Sequence, residues 1–132
     1  MLTLCKIDGK EYDVLVTAIQ EVYEVIEGEN SGVAIHKQRE IRDVKGIKIG
    51  HSITFSCNED PIIFDELTDY LFKTVRPSVM LETVDGQKTI SYEAAYNTGS
   101  RNVAHIDDEK NVVYWDELTV VFRPLETQIN EG

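Results

Sequence analysis

Only two cysteines, Cys5 and Cys57, occur in the 132 residues. That is too few for a disulfide scaffold. Both stand at apolar positions of alternating stretches, where a free thiol packs as a small hydrophobe. A single disulfide between strands stays open on spacing alone. No stretch approaches the ~20 apolar residues of a membrane span, and none couples a basic start to a long apolar run as an export signal does. The expectation is a chain made and kept in a reducing cytoplasm, unless it leaves inside a larger assembly. Basic residues are scarce, 13 against 24 acidic, for a net charge of −11. Nucleic acid is held through its phosphates by clustered Lys and Arg, and an anionic membrane surface repels an acidic chain. Direct contact with neither is expected.

Signatures of chemistry are also missing. Asn97-Thr98-Gly99-Ser100 lacks the glycine and lysine spacing of a phosphate-binding loop. There is no Gly-x-Ser-x-Gly elbow and no His-Glu-x-x-His pair. His36, His51 and His105 are too dispersed for spacing to indicate zinc. His51 falls on the apolar side of its stretch, which reads as a hydrogen-bonded core histidine. The alternation Asp107-x-Glu109-x-Asn111 carries oxygen ligands. It lacks the sixth-position glycine and twelfth-position acid of a calcium loop, since Val112 and Leu118 stand there, and reads as a solvated turn. No catalytic residue, cofactor or metal is expected, and the chain reads as a non-enzyme. Trp115 and the six tyrosines read as core and rim packing rather than as a sugar-stacking line.

What is there is mostly β-strand pattern around one helix. The length suits a single domain over 1–132, able to bury roughly two-thirds of its unfolded surface. Phe64, Leu67, Leu71 and Val75 recur at helical spacing, which predicts a helix over 61–75 with those four on its packing face. Asp60 is placed to cap it, Pro61 suits its first position, and Arg76-Pro77 stops it. Ahead of it, Asp8-Gly9 marks a tight turn between two strands, the second running to residue 26. Ile47, Ile49, His51, Ile53, Phe55 and Cys57 alternate with polar residues in a strand with one core face. Beyond the helix, Asp85-Gly86 joins a hairpin over 78–97, and 103–115 predicts a wider one with an acidic tip. Leu118, Val120 and Phe122 alternate in a last strand ended by Pro124, and 126–132 reads as a frayed tail. The expected fold is mainly β within the α+β class. It is an antiparallel sandwich or partly open barrel with the helix laid over an open side, joining two β-halves, 1–57 and 78–124.

Segment 27–46 is polar and broken by glycine, and is read as a mobile loop or extended arm. Five of the 13 basic residues, Lys37, Arg39, Arg42, Lys45 and Lys48, lie between positions 37 and 48. Asp107, Asp108 and Glu109 form the acidic hairpin tip. The two groups are candidate opposite sides of a contact between copies, since a repeating head-to-tail contact needs two different complementary surfaces.

Several short runs, in order, carry a family resemblance. They are Asp8-Gly9-Lys10-Glu11-Tyr12-Asp13-Val14, Glu27-Gly28-Glu29-Asn30-Ser31-Gly32, Arg42-Asp43-Val44-Lys45-Gly46, Phe64-Asp65-Glu66-Leu67 and Trp115-Asp116-Glu117-Leu118-Thr119-Val120-Val121-Phe122. Together the chain resembles small structural proteins encoded by Firmicute prophages and tailed phages, associated with the tail or baseplate. Val33 stands where that family carries a basic residue, and Ile47-Lys48-Ile49 replaces its run of small and aromatic residues. The resemblance implies a tail-tube-like fold and a non-enzymatic virion part: tube, terminator or baseplate-associated. It implies a homo-oligomeric ring and other tail proteins as partners, with the host cytoplasm during assembly and then the virion tail as location. The alternative expectation is a sugar- or calcium-binding β-sandwich module.

Overall fold

The computed structural model describes residues 4–28, 32–34 and 39–130. It is mainly β with one helix; its eight-stranded antiparallel network is not closed into a barrel and divides into two sheets joined by one shared strand. The first sheet runs β1 (Cys5–Ile7), β6 (Val79–Asp85), β7 (Lys88–Ala95) and the end of β11 (Leu118–Pro124). The second is built on β5 (Val44–Cys57). One edge of β5 pairs with β2 (Val14–Glu27). Its other edge pairs with the start of β11, and further along with β12 (Ile129–Asn130). The short β8 (Gly99–Ser100) lies on β11. Two small hairpins stand off this body: β3 (Gly32–Ala34) with β4 (Arg39–Ile41), and β9 (Val103–Asp107) with β10 (Val112–Trp115).

The alternation read from sequence holds along β5, with Ile53, Phe55 and His51 buried on one face. Leu118, Val120 and Phe122 of β11 are buried beside them, and Ile7, Val79, Leu81 and Ala94 come from the first sheet. β11 belongs to both sheets. Its start faces Phe55 to His51, and Arg123 and Pro124 then pair with Ala95 and Ala94. Gly50 permits this crossing, because a Cβ there would sit 2.9 Å from the Phe122 carbonyl oxygen. The two β-halves expected from chain order are therefore interleaved: β1 joins the sheet of the second half, and β11 completes the sheet of the first.

The helix, α1 (Pro61–Phe72), begins as expected, with Asp60 Oδ1 accepting from the Ile62 amide at 2.9 Å. It ends three residues early, at Phe72, with Lys73 as its cap, so Val75 lies beyond it and is fully exposed. Phe64, Leu67 and Leu71 are buried. Leu67 meets Ile7 of β1 and Val14 and Val16 of β2 at the seam where those strands do not pair, leaving a void of only about 10 Å³. The helix thus covers the open side. Asp8 and Gly9 do form a tight turn with positive φ, closed by hydrogen bonds both ways between Ile7 and Lys10, but the pairing stops at that bridge and β1 does not pair with β2. Asp8 instead accepts from the Met80 amide and the Tyr70 hydroxyl, tying β6 to the helix.

The tail is fastened rather than frayed over its described residues. Where β11 leaves β5, the Gln128 side chain takes its place. Its amide group donates to the Ile49 carbonyl at 3.0 Å and its oxygen accepts from the Ile49 N–H. Ile129 then pairs with Ile47. His51 is a core histidine, as its pattern indicates. Its Nε2 donates to the Val84 carbonyl at 2.8 Å, so in the neutral ring Nδ1 accepts from the Tyr92 hydroxyl at 2.7 Å.

Candidate functional site

The surfaces left over by this core are two projections. The first continues the β2–β5 ladder past the sandwich. Gly28 N–H donates to the Asp43 carbonyl at 2.6 Å, and within the same segment β3 pairs with β4. The polar segment 27–46 is therefore a hairpin arm over its described residues. The second is the β9–β10 hairpin, whose base is anchored at the other end of β5. Trp115, three residues before the Leu118–Phe55 pair, carries the Arg101 guanidinium 4.0 Å over its ring. Arg101 in turn donates to Asp65 of α1 at 2.8 Å. Val44 and Cys57 bound β5, so the two projections are rooted roughly 40 Å apart at ~3.3 Å per residue.

Lys37 lies outside the described residues, and Arg39 is placed by its backbone alone, in β4. Arg42 Nε donates to Glu27 Oε1 at 2.6 Å, and Lys45 Nζ lies 3.3 Å from Asp43 Oδ1. The first is an exposed pair, which holds little energy; in the second the Asp43 side chain is largely covered. Lys48 stands on the outer face of β5, opposite Glu24 of β2. Asp107 Oδ1 caps its own turn, accepting from the amides of Glu109 at 3.2 Å and Lys110 at 3.3 Å. Asp108 and Glu109 are exposed beside it. Lys45, Lys48 and the guanidinium of Arg42 thus lie along the arm end of β5, and the acidic tip belongs to the other end. One copy does not bring them together.

Sequence pattern missed a third feature, on the outer face of the second sheet. Val22, Glu24, Lys48, Gly50, Val121 and Arg123 line a groove of about 200 Å³. Val22 and Val121 are 46% and 57% exposed. The signal was present: Val121 is apolar at a position that alternates away from the core. The β9–β10 hairpin likewise shows bare apolar surface. Ile106 and Val113 pair directly across its strands, and both are exposed. On the opposite face His105 stacks on Tyr114 with ring centroids 5.4 Å apart.

Two groups with strongly raised protonation, Cys5 and Tyr92, lie in packing positions. Burial first, and the Glu11 charge second, push the Cys5 thiol up to about 12. Burial likewise raises the Tyr92 hydroxyl. Both shifts favour the unreactive protonated form. On β2, hydrogen bonds from the Tyr23 hydroxyl and the Gly86 amide hold the Glu21 carboxyl below its usual range. Cys5 and Cys57 are both free thiols. Among the described residues no three His, Cys, Asp or Glu side chains are placed to share a metal ion, and no helix is long and apolar enough to cross a membrane. No protein-family model matches the chain, and no curated protein matches it.

Proposed function

We propose that this chain is a non-enzymatic structural protein of a phage or prophage tail, assembling head to tail with copies of itself and docking onto other tail proteins. The observation that carries the reading is the pair of hairpins rooted at opposite ends of β5. One lies at the basic arm and the other bears Asp107, Asp108 and Glu109. A single copy cannot satisfy both, and a row or ring of copies can. The resemblance of its short ordered runs to tail and baseplate proteins of Firmicute phages supplies the context. The chain would then reach the virion tail after assembly in the host cytoplasm.

The sugar-binding alternative is weakened by where the aromatic faces point. Lys10 lies 4.6 Å over Tyr12, Arg76 lies 3.7 Å over Tyr70, and Arg101 covers Trp115. Each cation already occupies a ring face on which a sugar would stack. The calcium alternative loses Asp107 to its own turn.

Sedimentation velocity over rising protein concentration, with electron microscopy of the heaviest fraction, tests the reading. A concentration-dependent species of repeating subunits is expected. A strict monomer at the highest soluble concentration overturns it.

A further inference from the structure

We infer that the groove on the outer face of β5 is the socket for the β9–β10 hairpin of a second copy of this chain. The inference rests on the self-assembly proposed above and names its contact. The socket has a glycine floor at Gly50 between two apolar walls, Val22 and Val121. Removing exposed apolar walls from water favours an apolar insert. The knob has a matching form: Ile106 and Val113 side by side on one face of a narrow, two-stranded hairpin. An isolated two-stranded hairpin with an uncovered apolar face is marginal in water, so this one gains most from being covered.

Charge selects the same pairing. Among the described residues neither Lys48 nor Arg123 takes part in a salt bridge, whereas Arg42 and Lys45 already face Glu27 and Asp43. The socket therefore offers two uncommitted cations. The knob brings Asp108 and Glu109, and its Lys110 is a counterpart for the one acid of the socket, Glu24. Knob and socket are both exposed within one copy, so the contact is between copies. Because the two surfaces differ, it repeats head to tail. This moves the receiving site from the arm, where the basic run is densest, to the middle of the sheet.

Paired charge reversal tests the assignment. Lys48→Glu/Arg123→Glu makes an acidic socket, and Asp108→Lys/Glu109→Lys makes a basic knob. Each variant alone should self-associate roughly tenfold more weakly or worse than the wild type, since like charges then meet in the contact. An equimolar mixture should regain wild-type assembly, because every alternating contact again joins opposite charges. Regained assembly also shows that both variants fold. Arg42→Glu/Lys45→Glu should assemble as the wild type does. Wild-type assembly by either reversed variant alone, a mixture that stays dissociated, or loss of assembly on reversing Arg42 and Lys45 overturns the socket. In those cases an assembling wild type leaves the proposed function standing. A monomeric wild type removes both.

Discussion

The two halves of the β2–β5 ladder are made of the same two antiparallel strands, with a register shift between Val16 and Ala18 at the base, yet only one half is core. At the base, Ile53 and Phe55 are fully buried, and Val14, Val16 and Ile19 of β2 pack against them. Towards the arm, Tyr23 is 62% exposed and Val25 43% exposed, on the strand face that buries Ile19 lower down. The difference comes from the third layer. At the base, α1 and the first sheet lie across the inner face. Beyond His51 the β6–β7 turn reaches β2 through the Gly86 amide on Glu21. An apolar alternation marks the face able to be buried, and another element decides whether it is.

This contrast is open to direct attack. Ile53→Ala should cost about 2–5 kcal/mol of stability in denaturant unfolding, as should Leu71→Ala on the helix that covers the base, because each leaves a cavity in a filled core. A loss under 1 kcal/mol at either position would mean that the base is not packed as described. A titration separates the halves next. The folded Cys5 thiol keeps its proton where the unfolded one has lost it. Stability is then full below the ordinary thiol range. It falls by up to about 1.4 kcal/mol per pH unit as pH climbs through that range towards the raised value. Cys5→Ala should flatten this alkaline decline, and an unchanged slope would remove the assignment. Glu21, in the half of β2 towards the arm, has the opposite sign. Its lowered carboxyl contributes above the ordinary carboxyl range and is lost on acidification, and its exposure keeps that effect small.

The edge of β5 provides an intermediate case. Gln128→Ala should remove two hydrogen bonds to Ile49, at about 1–2 kcal/mol, and speed amide exchange at Ile49 relative to Ile53. Equal protection at the two amides after the substitution would show that the tail contributes nothing. The smallest effect belongs to the arm. Val25→Thr should change the stability of the isolated chain by no more than about 0.5 kcal/mol. A loss comparable to that at Ile53 would abolish the distinction between base and arm.

Much of the local structure is readable from residues. Asp60 and Pro61 start the helix, Asp85-Gly86 turns its hairpin, and the His51 alternation puts a polar ring in the core, where Tyr92 and Val84 satisfy it. These features depend on neighbours within a few residues or on a strict period of two. Val75 was misplaced because helical spacing continues in the sequence after the backbone has left the helix at Lys73. The candidate interface was legible only as charge. Val22, Val121 and Arg123 are far apart in sequence, and the groove exists because β11 peels away from β5 beside Gly50.

By itself, then, the sequence determined the strand faces, the one helix, the turns and the two charged projections, since each follows from local propensity and periodicity. Tertiary structure decided which strands pair. It put β1 with β6 rather than with β2, made β11 common to both sheets and fastened the tail through Gln128. Strand pairing joins residues tens of positions apart, and any exposed ladder edge can accept any strand. The choice rests on the packing of the whole core, which no local pattern encodes.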